Sequence, residues 1–194
     1  MTKTTLSFVI GLVTIFVIWA SLSSKVSFDI LNPQNLLQDL GLGLAGTILI
    51  FYWMFLAEAG LYKVYTSLEG GSDNKFIVNQ ARRGTDARKT ISESFKTTSL
   101  LVELLGSLLY CFAEELFFRA AVQGELGLLV GVIVFVLFHD ITNVSWSIQL
   151  VGMGLVCGFL YMHTGSLVAP TVAHFGVNIL SLQRMKLIKP VTDS

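Results

Sequence analysis

The most informative part of this sequence is the stretch 100–123, which reads LLVELLGSLLYCFAEELFFRAAVQ. It is long enough to cross the hydrocarbon core of a membrane as an α-helix, for which about 20 apolar residues are needed. It nevertheless carries four ionisable side chains, Glu103, Glu114, Glu115 and Arg119. Ionisable groups at membrane depth are costly and are candidates for function by default. The stretch therefore predicts a transmembrane helix that contributes to a functional site.

The composition places the chain among membrane proteins. Only 13% of its 194 residues are charged and 53% are apolar, with a mean hydropathy of +0.70. Soluble domains are about 25% charged, and so few charges would not cover a soluble surface. The 13 basic and 13 acidic residues balance, so we expect no nucleic-acid partner. The sequence predicts an all-α fold, a polytopic transmembrane helix bundle, and excludes a disordered chain or a disulfide scaffold.

Six apolar segments predict a bundle of about six spans. With the N-terminus inside, most Lys and Arg residues fall on the cytoplasmic side, including the basic run at 82–89 in the polar loop 66–97. The first segment has a second interpretation as a signal peptide, because Lys3 precedes an apolar run that ends in small residues at 20–23. The six segments are 6–22, 40–62, 99–123, 128–139, 148–163 and 167–182.

The adjacent carboxyl groups of Glu114 and Glu115 predict two different roles. Two carboxylates this close cannot both ionise cheaply in a medium of low dielectric constant. Arg119 follows Glu115 by four residues, the spacing of an ion pair on one helical face. Glu114 then points about 100° away and stays available for chemistry. A purely structural alternative is an ion-pair cluster that only orders the bundle.

Two histidines and an asparagine lie in the later apolar segments. His139 follows Phe135 by four residues and Asn178 follows His174 by four, so each pair shares a helical face. At 1.5 Å rise per residue, these three polar groups and Glu114 lie roughly 14–20 Å from the turns at 124–127 and 165. Both turns lie on the same side in the six-span topology. We therefore expect the four groups to meet near the middle of the membrane.

The residues described above form three motifs, which begin at Glu114, Phe135 and His174. In this order and within apolar helices, they are similar to the motifs of the CAAX prenyl endopeptidase and bacteriocin-processing family (CPBP, or Abi) of intramembrane glutamate proteases. The resemblance covers about 99–182, nearly half of the chain. One position departs from the usual pattern, because Ala120 follows the motif arginine where many members have Gly. The three motifs are Glu114-Glu115-Leu116-Phe117-Phe118-Arg119, Phe135-x-x-x-His139 and His174-x-x-x-Asn178.

The resemblance implies a metal-independent glutamate endopeptidase that needs no cofactor. Glu114 would be the general base that activates water, and His139 would position or deprotonate that water. His174 and Asn178 match the positions that stabilise the tetrahedral oxyanion. The supporting residues are Glu115, Arg119 and Phe135.

The resemblance also implies a substrate, a location and a division of the chain. The substrate would be a peptide or protein, lipidated or anchored in the membrane, cut near its C-terminus, and membrane lipids would surround the enzyme. We expect a multi-pass protein of a prokaryotic cytoplasmic membrane. Its parts would be 1–98, a two-helix region with the basic loop; 99–183, the protease core; and 184–194, a short polar tail.

Three other interpretations of the same residues remain open. An inactive family member would act as an immunity or partner-binding membrane protein. Glu114, His139 and His174 are also a ligand set that zinc accepts, although the sequence has no His-Glu-x-x-His motif. A small proton-coupled transporter would relay protons through the same groups, but the repeated halves typical of transporters are not evident.

Overall fold

The computed structural model describes residues 10–11, 13–15, 18–19, 33–67, 79–80, 99–139 and 141–187. This part of the chain is helical apart from short connections and contains no strand, so the predicted all-α fold is confirmed. Two predictions depend on positions outside the described residues: the signal-peptide interpretation, which rests on residues 20–23, and the basic run at 82–89. Most of the polar tail 184–194 also lies outside them.

Six α-helices and one π-helix follow each other along the described residues from position 36 onward. The π-helix, π1, directly continues α2, and its hydrogen bonds run to the fifth residue, which widens the turn. Such turns are frequent at functional sites. The elements are α1 (Leu36–Ser67), α2 (Leu100–Glu115), π1 (Leu116–Gln123), α3 (Gly124–Leu126), α4 (Leu128–Leu137), α5 (Val144–Thr164) and α6 (Val168–Leu187).

Local sequence signals set several of these boundaries. The Ser99 side chain accepts a hydrogen bond from the backbone N–H of Val102 and starts α2. The Asn143 side chain accepts one from the N–H of Trp146 and starts α5. Gly127, at φ 87°, separates α3 from α4. A residue with a side chain would be strained at that φ, so glycine makes this sharp change of direction possible.

The structure corrects the predicted segments at three points. The fourth helix ends at Leu137, so it has ten residues and a length of about 15 Å, half of a membrane core. The fifth begins at Val144 rather than at position 148, because Asn143 caps it. The turn predicted at 124–127 is confined to Gly127, since Gly124–Leu126 is still helical.

Two of the described helical stretches, Leu36–Val64 and Val144–Thr164, are long and apolar enough to cross a membrane. The outer face of α1 carries large exposed apolar side chains, among them Leu44, Ile48 and Phe55. A membrane supplies the apolar surroundings that such a face needs. The fold therefore fits a helical membrane protein, while the count of six spans stays a prediction.

Helix α1 runs parallel to α6 and packs closely against it because small residues line their contact. A Cβ atom on Gly43 would lie 2.6 Å from Cβ of Val172, and one on Gly176 would lie 2.4 Å from Oγ1 of Thr47. Neither space admits a larger side chain without movement. The residues outside the CPBP resemblance thus hold the helix that carries His174 and Asn178.

Polar contacts fix both ends of this helix pair. At one end the Ser166 hydroxyl donates to the Asp39 carboxylate, and both side chains are buried. At the other end Arg184 Nη2 lies 3.1 Å from Glu58 Oε2, on the surface. The buried contact sets the position of α6 along α1, whereas the exposed ion pair contributes little.

The largest fully buried side chain of the described residues is Arg119. It contacts Phe135 of an apolar core to which α1, π1, α4, α5 and α6 contribute. A charged group in such a place must be paired to be tolerated. The buried residues of this core are Ile50, Phe118, Phe135, Leu150, Met153, Cys157, Ala173 and Val177.

Candidate active site

The predicted site residues converge where α2, π1, α4 and α6 meet. Glu114 and Glu115 are the last two residues of α2, and Arg119 lies in π1. His139 lies two residues beyond the end of α4, and His174 is in the second turn of α6. The early end of α4 matters here because it frees His139 from a regular helix next to the two carboxyl groups.

Glu115 is held by two nitrogen donors. Its Oε2 lies 2.8 Å from Nε of Arg119, and its Oε1 accepts a hydrogen bond of 2.8 Å from Nδ1 of His174. The side chains of Glu115 and Arg119 are completely buried and that of His174 is 2% exposed. Short charge-assisted hydrogen bonds of this kind are stronger than neutral ones. Glu115 is therefore fully engaged and fixed in position.

A glutamine extends this series of contacts beyond Arg119, on the side away from His174. Arg119 Nη1 donates to Gln123 Oε1 at 3.4 Å, and Gln123 Nε2 donates to the carbonyl oxygen of Gly158 at 3.0 Å. The sequence analysis missed Gln123. Its signal was the four-residue spacing from Arg119, the same spacing that links Arg119 to Glu115. We call Glu115, Arg119 and Gln123 the buried network.

Glu114 has different surroundings. Its carboxylate oxygens are buried, and neither histidine completes a hydrogen bond with them. Oε1 lies 3.7 Å from Nε2 of His139 and Oε2 lies 3.6 Å from Nε2 of His174, too far for direct hydrogen bonds. The Tyr110 hydroxyl, one turn earlier on α2, also lies close to this carboxyl group. We call Glu114, His139 and His174 the Glu114 cluster.

Each histidine ring is held in position by a hydrogen bond at Nδ1, the ring nitrogen that does not face Glu114. Nδ1 of His139 lies 2.7 Å from the carbonyl oxygen of Phe135, and Nδ1 of His174 lies 2.8 Å from Glu115. A carbonyl or carboxylate oxygen only accepts, so in both rings Nδ1 carries the proton and donates it. The second nitrogen, Nε2, then faces Glu114 in both cases. A hydrogen bond at one ring nitrogen thus determines what the other can do.

Phe135 packs between the two histidines and the arginine. Its ring centroid lies 4.6 Å from that of His139 and 6.1 Å from that of His174. The guanidinium carbon of Arg119 lies 5.3 Å from the same centroid, within the range of a cation–π contact. Phe135 is completely buried, so the ring restricts all three side chains at once.

Asn178 is placed one turn after His174 on α6, as its spacing predicts. Its Nδ2 donates to Sγ of Cys111 at 3.2 Å, and Cys111 lies three residues before Glu114 on α2. The hydrogen bond described for Asn178 is therefore made to Cys111, a neighbour of the Glu114 cluster, and not to a member of the cluster. The amide has a second N–H, which remains for another acceptor.

The site residues lie in a segment of the sequence that matches a known protein family. Residues 96–180 match the model of the family described as type II CAAX prenyl endopeptidase Rce1-like. This segment is similar to the Rce1-like domain over the matched residues. The resemblance drawn from the three motifs is confirmed, and the matched residues include every predicted site residue.

One relative of the Rce1-like domain is an uncharacterized protein of Bacillus subtilis (strain 168), YpbD. It is 34% identical over 71 residues, which are 36% of this chain and 38% of that protein. The match thus spans well under half of the relative. No solved structure matches the chain. The Rce1-like family is a protease family, and two of the described helices are long and apolar enough to cross a membrane.

Zinc accepts carboxylate and imidazole ligands of the kind found in the Glu114 cluster. Among the residues that the structure describes, however, no three His, Cys, Asp or Glu side chains are arranged to hold a metal ion. The hydrogen bond from Nδ1 of His174 to Glu115 does not itself exclude a metal, because a histidine that binds metal through Nε2 commonly donates its Nδ1 proton to a carboxylate. The effect of chelators on peptidase activity distinguishes a zinc site from a metal-free one.

Proposed function

We propose that this protein is a metal-independent intramembrane glutamate endopeptidase. The observation that carries the proposal is the Glu114 cluster: a buried carboxylate with the Nε2 atoms of two histidines at 3.6 and 3.7 Å. Atoms at these distances can share a water that lies beside the line joining them, about 2.8 Å from each. General-base catalysis needs such a water within reach of a carboxylate that is not already engaged. Glu114 meets this need and Glu115 does not.

The proposed reaction begins with a water held by Glu114 and His139. Its oxygen attacks the carbonyl carbon of the scissile peptide, and the proton that it loses passes to Glu114. The tetrahedral intermediate then collapses, the C–N bond breaks, and the leaving amine takes the proton from Glu114. One group therefore serves first as base and then as acid, and no cofactor enters the balance.

The oxyanion of the intermediate would be stabilised from α6. Nε2–H of a protonated His174 donates one hydrogen bond, and the free N–H of Asn178 donates another. Because Nδ1 of His174 is bonded to Glu115, the negative charge of Glu115 stabilises the imidazolium that this role requires. Donors fixed before the reaction are worth more than donors that must reorient, and losing one costs about 10²–10³-fold in rate.

The first experiment is Glu114→Gln in the full-length protein, purified in detergent. A farnesylated CAAX peptide with a fluorophore and a quencher is the probe. We expect turnover to fall by about 10²–10⁴-fold, because Gln has no proton acceptor of this kind. The fold should persist, since Gln keeps the size of the side chain. The control is Glu58→Gln, which changes a carboxylate on the surface of α1 and should retain parental turnover.

Three outcomes would count against parts of this proposal. Cleavage by Glu114→Gln at the parental rate would overturn the glutamate mechanism. Inhibition by chelators that zinc reverses would replace it with a metallopeptidase. Absence of cleavage by the parental protein, with the prenylated and the unprenylated peptide alike, would favour an inactive member that acts as an immunity or partner-binding protein.

We further propose that the substrate is membrane-anchored or lipidated and that the enzyme belongs to a prokaryotic cytoplasmic membrane. The support for a substrate in the membrane is the position of the cluster among apolar helices, with His139 as its partly exposed member. Peptides that share a CAAX tail with and without the farnesyl group test this point. Equal kcat/KM for both would remove the lipid from substrate recognition.

The basic loop 66–97 is proposed to lie in the cytoplasm, on the same side as the connection from α4 to α5. Gln80 of that loop donates to the carbonyl oxygen of Thr142 at 3.1 Å and accepts from the N–H of Val144 at 3.0 Å. In the six-span topology, single cysteines replacing Arg83 and Glu125 should label from opposite sides of the membrane. Labelling of both from one side would contradict that topology.

A further inference from the structure

Gln123 occupies a position where both ends of its amide are used inside the protein. It is 5% exposed. Its Nε2 faces the carbonyl oxygen of Gly158, which only accepts, so the orientation of the amide is determined. Its Oε1 is then the acceptor for Arg119 Nη1. The amide therefore connects the guanidinium group to the backbone of α5.

Two glycines provide the space for this amide. A Cβ atom on Gly158 would lie 2.9 Å from Oε1 of Gln123, and one on Gly131 would lie 2.9 Å from its Cβ. Contacts that short do not occur, so any larger residue at either place would displace Gln123. The close approach of α4 and α5 at these glycines holds the glutamine against Gly158.

Three residues contact the buried guanidinium group of Arg119: Glu115, Phe135 and Gln123. Its Nε pairs with Glu115, its plane lies against Phe135, and its Nη2 makes no hydrogen bond within the described residues. Nη1 is the group that Gln123 holds. Without this hydrogen bond the guanidinium can turn about its bond to Glu115. Because Glu115 also orients His174, this rotation of the guanidinium group would change the orientation of His174 in the Glu114 cluster.

We infer that Gln123 is a positioning residue for the proposed peptidase reaction, and the inference rests on that proposed function. Gln123 fixes Arg119 against the backbone of α5, Arg119 fixes Glu115, and Glu115 fixes the ring of His174. Gln123 touches none of the proposed reacting atoms. Its effect on catalysis is therefore exerted through the orientation of Nε2 of His174.

The test compares Gln123→Met with Gln149→Met in the full-length protein. Methionine keeps the length of glutamine and removes its hydrogen bonds. Gln149 is also a buried glutamine, but it donates to Ser145 within α5, away from the network. With the farnesylated CAAX peptide, we expect Gln123→Met to lower kcat about 10–100-fold at unchanged KM, as for other residues that orient a reacting group. Gln149→Met should keep the parental kcat.

A spectroscopic measurement separates this inference from the proposed function. In protein labelled with ¹⁵N-histidine, the Nδ1 proton of His174 reports its hydrogen bond to Glu115, whether or not a peptide is cleaved. Gln123→Met should shift this signal and Gln149→Met should not. If Gln123→Met does not fold, Gln123→Asn replaces it, because its amide is too short to reach Arg119 and Gly158 together.

An unchanged His174 signal in a folded Gln123 variant would overturn the inference, even in a protein without activity. So would equal losses of kcat in Gln123→Met and Gln149→Met, which would mark both glutamines as structural only. A shifted signal in a protein that cleaves no peptide would uphold the positioning role and count against the peptidase.

Discussion

The buried network and the Glu114 cluster differ although they begin at neighbouring residues of α2. Glu115 has two nitrogen donors at 2.8 Å and no exposed surface. For Glu114 the nearest histidine nitrogens lie 3.6 and 3.7 Å away. Successive residues of a helix point about 100° apart, so adjacent carboxyl groups face different elements. Environment, rather than residue type, separates the engaged carboxylate from the available one.

His174 is the point where these two regions meet. One ring nitrogen is bonded to Glu115 and the other faces Glu114. Any change in the buried network is therefore expected to reach the Glu114 cluster through this ring. Within the Glu114 cluster only His174 bonds to the buried network, so we expect changes at Glu114 or His139 to leave the hydrogen bonds of that network in place.

Among the substitutions that test the difference between the two regions, Arg119→Ala should have the largest effect, because it breaks the buried network. It would leave the carboxylate of Glu115 buried with one partner fewer, at a cost of about 3–5 kcal/mol. Thermal stability, expression yield and peptidase activity should all fall. The control is Arg184→Ala, whose half-exposed pair with Glu58 should contribute no more than about 1 kcal/mol. A stable, well-expressed and inactive Arg119→Ala would instead place Arg119 in direct contact with the substrate.

Replacing either histidine should have an intermediate effect, and the two variants should differ in thermal stability. His139→Ala and His174→Ala should both reduce kcat by orders of magnitude, since each removes a group of the Glu114 cluster. Only His174→Ala also leaves Oε1 of Glu115 without its donor, at a cost of about 1–3 kcal/mol. Thermal unfolding of the two variants measures the difference. Equal melting temperatures would show that the two regions are not coupled through His174.

The smallest effect is expected from Asn178→Ala. Its described hydrogen bond goes to a cysteine sulfur, which is a weak acceptor, so the fold should lose little. His174 would remain as an oxyanion donor, and kcat should fall by less than in His174→Ala. Steady-state kinetics of both variants with the same peptide decide the order. A larger loss in Asn178→Ala would make the asparagine the main donor.

The local part of this architecture could be predicted from the sequence. Apolar composition and segment length determine an all-α fold suited to a membrane, because backbone groups there must bond within their own helix. The four-residue spacing of Glu115 and Arg119 places them on one face, and the 2.8 Å contact follows from that spacing. The ordered motifs indicated the family whose model matches residues 96–180. These properties depend on residues close together in the chain.

Contacts between distant residues were decided only by the tertiary structure. The partnership of Glu115 with His174 joins positions 59 residues apart, and the bond from Gln123 reaches Gly158 across 35 residues. Periodicity shows which face of a helix a residue occupies, but not which helix that face meets. The packing of α1 on α6 through Gly43 and Gly176, and the end of α4 at Leu137, bring those faces together. Helix packing therefore determines the partners, because it depends on the shapes of several segments at once.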